Sequence, residues 1–175
     1  MRRRVLALGA ALFVAGCGGG AEGSPVAEEQ APVFEPCSIP ADAIEATGLQ
    51  TTTVDEGWSD GIEVDDWTRC VWESTDTRSS YFFRMLFSAR HNLDDIRNNP
   101  VYTEMSDIRV GDHTWLQYKF NSTARATRCN VAFGTTEGVA IAVVRLISQD
   151  TPGVDPCALV LHHAEDLSAY FPSQK

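Results

Sequence analysis

Four cysteines, Cys37, Cys70, Cys129 and Cys157, constrain this chain more than any other feature. In an exported chain an even set of cysteines reads as a disulfide framework. None of the four lies in a C-x-x-C pair, which argues against a redox motif or a zinc knuckle. Four cysteines allow three connectivities. Pairing Cys37 with Cys70 and Cys129 with Cys157 closes two loops of about 30 residues, each worth roughly 3–4 kcal/mol in the chain-entropy model. The chain leans to that pairing, and Cys37–Cys157 with Cys70–Cys129 stays open.

The start of the chain supplies the export on which that framework depends. Met1-Arg2-Arg3-Arg4 is a basic n-region, and Val5 to Val14 is an apolar run. A run of that length suits a signal peptide and is too short to span a bilayer. Val14-Ala15-Gly16-Cys17 follows, and a cysteine after small residues resembles a bacterial lipobox. In lipoproteins of that type the cysteine carries a diacylglyceryl group. Two acyl chains attach a protein stably without a transmembrane helix. Residues 1–16 are therefore a signal peptide, excluded from the fold. Export by the general or the twin-arginine route both stay open. Residues 17–33, rich in Gly, Ala, Glu, Pro and Ser, read as the lipidated Cys17 and a disordered tether.

Residues 34–175 make a single domain with room for a core. The formal charge is −10, and removal of Arg2, Arg3 and Arg4 leaves −13. An acidic surface disfavours nucleic acid and anionic lipid. The expected location is the extracytoplasmic face of the cell membrane, held there by lipid at Cys17.

Hydrophobic periodicity outlines an α+β domain. Pro40 to Thr47 reads as a short helix closed by Gly48 and Leu49. Residues 50–66 are polar and acidic and read as a long, mobile loop. Cys70 to Glu73 and Tyr81 to Ser88 form a hairpin; Tyr81, Phe83, Met85 and Phe87 make one face, with Arg84 on the other. Asn92 caps a helix from Leu93 to Asn98. Strands follow over Asp107 to Val110, His113 to Phe120, Thr127 to Phe133 and Val139 to Ile147. The last is apolar on both faces, as a covered central strand requires. Asp155 and Pro156 open a helix whose apolar stripe is Cys157, Val160, Leu161, Ala164, Leu167 and Phe171. The sum is a largely antiparallel sheet of about six strands with helices packed on it, braced by two disulfides.

A family resemblance emerges from this order of parts. The lipobox and tether come first, then Pro36-Cys37 opening a helix that ends in Gly48-Leu49. Cys70-Val71-Trp72 lies on a strand, Val110-Gly111 at a turn and Cys129 on a late strand. Asp155-Pro156-Cys157-Ala158 opens the last helix. The chain resembles the actinobacterial lipoproteins catalogued as domain of unknown function 3558. That resemblance implies a lipid-anchored envelope protein and no established reaction.

Chemistry-bearing motifs are sparse. There is no G-x-S-x-G elbow, P-loop or H-E-x-x-H. His162 and His163 read as a solvated face, with Asp166 one turn from His162, and adjacent helical histidines diverge too far to share a metal. No catalytic residue, metal or cofactor is expected. The best candidate for a ligand is the acidic loop around Trp58, Asp65, Asp66 and Trp67, where an indole among carboxylates suits a sugar face or a cationic group. The expected function is a non-catalytic binding or accessory module of the envelope, with an unknown envelope protein or small ligand as partner. The alternative is an enzyme that processes envelope glycans or lipids, which needs two carboxylates or a Ser–His pair in a cleft.

Overall fold

The computed structural model describes residues 33–54, 64–120, 127–148 and 153–175. Residues 1–32, with Cys17 and the tether, lie outside the described residues, as does Trp58 of the acidic loop. The domain is mostly β with a small helical part. Seven strands form one antiparallel sheet: β1 (Leu49–Thr53), β2 (Thr68–Ser74), β3 (Tyr81–Ser88), β4 (Tyr102–Val110), β5 (His113–Phe120), β6 (Arg128–Gly134) and β7 (Val139–Leu146). Their order across the sheet is β1-β2-β3-β7-β6-β5-β4.

The expectation of about six strands therefore misses one. Leu49–Thr53 opens the stretch that reads as loop, yet it pairs with β2 at the sheet edge. Its threonines are β-branched and favour extended backbone. Only Leu49 is buried, so no alternating apolar pattern marks it. Val139–Leu146 sits at the centre, as its two-sided apolarity requires, between β3 and β6.

The two sheet faces are covered unequally. One carries Trp72, Phe83, Met85, Phe87, Val131, Phe133 and Val144, all buried. It is closed by α1 (Ala41–Ala46) and α3 (Pro156–Asp166). Phe133 stacks on both Trp115 and Phe171, with ring centroids 5.0 Å apart in each pair. The other face carries Leu116, Tyr118, Ala132, Ile141 and Val143 and receives Ile96 of α2 (Leu93–Arg97). That short helix is fixed by a capping box between Asn92 and Asp95. Among the described residues, Trp67, Leu93, Tyr102 and Met105 pack on the same face beside Ile96.

Both disulfides join helical turns to strands. Cys37–Cys70 ties the turn Pro36–Ser38 to β2, and Cys129–Cys157 ties the first turn of α3 to β6. This is the pairing that closes the shorter loops.

His163 corrects the sequence reading. It is buried, 1 % exposed, and its Nε2 lies 2.7 Å from the Tyr81 hydroxyl. It follows Val160 by three residues and precedes Leu167 by four, so it shares the buried stripe. His162 does face solvent, 3.6 Å from Asp166. Burial, aided by the charge of His162, lowers the pKa of His163 from 6.5 to about 4. Between those values the unfolded chain binds the proton and the folded one does not, so stability falls as pH drops through that window. The expected loss is about 3 kcal/mol between pH 6.5 and pH 4. His163→Gln keeps a partner for Tyr81 and does not titrate. Thermal melts across that range should be steeper for the native chain than for this variant.

Candidate functional site

The face that receives α2 holds a cleft of about 210 Å³. Strand register explains its floor. Arg84 on β3 stands opposite Val143 on β7, Val143 opposite Asn130 on β6, and Asn130 opposite Tyr118 on β5. Because side chains alternate along strands, these four form one row on one face. Asn130 is buried and donates from Nδ2 to the Tyr118 carbonyl at 3.1 Å. That bond fixes the row between β5 and β6.

The adjacent row is more unusual. Arg128 on β6 and Arg145 on β7 are directly opposite in register. The guanidinium of Arg128 lies 5.3 Å from the centre of the Phe120 ring, and that of Arg145 lies 5.0 Å from the Phe82 ring. Such cation–π contacts support each cation but do not neutralise it. Arg84 and Arg128 both line the cleft. Burial lowers the pKa of each guanidinium, and the charge of Arg84 lowers that of Arg128 further. Arginine nonetheless stays protonated at neutral pH.

Aromatic rings form the walls. Tyr102 sits against Tyr118 and edge-on to Phe120, with centroids 4.6 and 5.0 Å apart. Burial raises the pKa of both phenols, so both remain protonated at neutral pH. Trp67 closes the rim and stacks on His91, 5.3 Å between centroids and 13° between planes. His91 lies 3.5 Å from Asp66 and 3.7 Å from Asp95, and Arg90 binds Asp66 at 2.7 Å. Arg90 and His91 are in turn held by β3, since both backbone amides donate to Ser88 Oγ.

Of the loop residues singled out in the sequence, Trp67 lines the cleft and Asp66 braces its rim. Asp65 lies beside them in a smaller hollow with Arg90, and Trp58 is outside the described residues. The arginines and tyrosines were not singled out. Their signal was present: Arg84 is the one charged residue of β3, and Arg128 opens the buried run of β6. No carboxylate, serine or histidine is among the described residues that line the cleft. No group of three or more His, Cys, Asp or Glu among the described residues is placed to hold a metal. No described helix is long and apolar enough to cross a membrane.

Comparison with curated proteins and with solved structures returns no match. Residues 12–170 match the family model described as "Protein of unknown function (DUF3558)", a span that takes in the four disulfide cysteines, the whole sheet and α3. The chain belongs to that family.

Proposed function

We propose that this chain is an exported lipoprotein, anchored by lipid at Cys17, whose domain is a non-catalytic binding module. The observation that carries the binding reading is the cleft: two guanidiniums and several aromatic rings converge on one partly covered sheet face. Clefts with apolar walls and a few convergent polar groups are the usual form of ligand sites. The reading as a module without chemistry is supported by the lining, in which the described residues include no carboxylate, histidine, serine, cysteine or lysine. Support for the anchor comes from the signal-like start, from two disulfides, and from a family match that begins at Leu12 and includes Cys17. The same resemblance to envelope lipoproteins motivates an actinobacterial host.

Native mass spectrometry of the chain purified from its host membranes tests this function. The expected spectrum shows lipidated protein with a small molecule retained. Cys17→Ser should leave the membrane fraction, and label from palmitate should be lost. Retention of the serine variant on membranes with palmitate label defeats the anchor. Ligand-free protein at every concentration of host extract defeats the binding module.

A further inference from the structure

A sheet edge carries backbone donors and acceptors that no neighbouring strand uses. Among the described residues β4 pairs with β5 alone, so its outer side is such an edge. The opposite edge, β1, is five residues long and breaks register against β2. β4 is longer, at nine residues. It holds one bulge: Thr103 stands opposite Lys119 and Ser106 opposite Gln117, and Glu104 between them has a φ of 52°. A bulge interrupts regular pairing. Residues 106–110 beyond it run in unbroken register with β5.

The outward groups of that stretch follow from the turn. Val110 and His113 stand opposite each other across the two-residue turn Gly111-Asp112. Partners that flank such a turn exchange both backbone hydrogen bonds, and the pattern alternates along the strand. The amides and carbonyls of Asp107 and Arg109 therefore point away from β5. Both side chains are exposed, and being two residues apart they share one face. Asp107 accepts from Arg97 of α2, which makes it the α2 face. Arg109 donates to Thr114 Oγ1 at 3.3 Å and pairs with no carboxylate among the described residues. Ile108 and Val110 point to the α3 face and are only partly buried against its core.

Asp107-Ile108-Arg109 is complementary to itself when two copies run antiparallel. With a two-fold axis at Ile108, Asp107 of each copy lies opposite the partner's Arg109. Both facing pairs then join outward backbone groups and opposite charges. A slip of two residues either way sets Asp107 against Asp107 or Arg109 against Arg109, which costs energy, so charge selects the register. Each chain carries a net charge of −10, but at physiological salt that repulsion is screened over about 8 Å, and the charges in contact decide.

We infer that the β4 edge is a self-association surface: a second copy of this chain pairs antiparallel along residues 106–110, with Ile108 on the axis between two Asp107–Arg109 pairs. So short an edge gives a reversible dimer rather than a permanent one.

Oxidative cross-linking of the full chain in its host membranes reads the register. Opposed residues of a non-hydrogen-bonded pair have Cα atoms about 4.5 Å apart, within the span of a disulfide. Ile108→Cys should therefore cross-link to a second Ile108→Cys chain. Arg109→Cys lies two residues out of step with its counterpart, beyond the roughly 7 Å limit, and should not. Cross-linking at Arg109→Cys that matches or exceeds that at Ile108→Cys, or none at either, overturns the inference.

Sedimentation of the full chain carrying Cys17→Ser measures the charge pairs without acyl chains. The chain should show a monomer–dimer equilibrium, and a monomer up to millimolar concentration overturns the inference. Arg109→Glu alters an exposed side chain and sets like charges opposite in both pairs, so dimerisation should weaken about tenfold or more. Asp107→Lys should do the same. An equal mixture of the two variants should associate again, because both facing pairs are then of opposite sign. Unchanged association of Arg109→Glu, or a mixture no tighter than either variant alone, overturns the inference.

Discussion

Removing both disulfides, with alanine at Cys37, Cys70, Cys129 and Cys157, should cost about 7 kcal/mol. The bridges span 33 and 28 residues. In the chain-entropy model each closure contributes about 3.5 kcal/mol by restricting the unfolded chain. A domain of this size has a stability of about 5–15 kcal/mol, so the loss consumes half of it or more. The bridges also hold the two ends of the domain. Cys37–Cys70 keeps the first turn on β2, and Phe34 packs edge-on to Phe87 of the neighbouring β3, 5.5 Å between centroids. Cys129–Cys157 keeps α3 over β6, and α3 closes the larger core. Urea unfolding of the oxidised chain, the reduced chain and the alanine variant measures the effect. Reduced and substituted chains should unfold at far lower urea than the oxidised one. A common midpoint for all three would show that the bridges are ornamental to stability.

Gly138→Ala should be the most damaging single replacement, at about 4 kcal/mol or more, in the range reached by severe overpacking. A Cβ built at Gly138 falls 2.0 Å from the carbonyl oxygen of Ser88 and 2.9 Å from Ala89 Cα. Both neighbours are backbone, so no side chain can swing away. The site is where β3 and β7 meet, with Ser88 opposite Val139. The hairpin itself cannot yield, because buried Thr135 Oγ1 accepts from the amides of Glu137 and Gly138. Relief must separate two central strands or move the Ser88 turn that carries Arg90 and His91. The rim of the cleft, Asp66 and Trp67, rests on those two residues. Chemical denaturation gives the loss, and a change below about 1 kcal/mol would show that the strands adjust freely.

What was legible in the sequence follows the strength of each local signal. Asp155 and Pro156 mark the start of α3 because the cap and the fixed φ of proline act within one turn. The central strand was legible because burial on both faces leaves no room for polar residues. β1 was not, since an edge strand needs only backbone partners and tolerates Gln50 and its threonines. His163 was misread because polarity outweighed position: helical spacing from Val160 puts it inside, and its neighbour His162 outside. The cleft was the least legible part. Arg84, Asn130 and Tyr118 lie on separate strands, and only the order β3-β7-β6-β5 brings them into one row. That order places β7 between β3 and β6, a non-sequential arrangement that short-range patterns do not encode.

The most direct test of the cleft as a binding site is a crystal structure of the chain purified from its own host without stripping. The expected density is a compact molecule in the cleft with a flat body against Tyr102 and Trp67. A cleft filled by the chain's own side chains, with no room left beside them, would contradict the account.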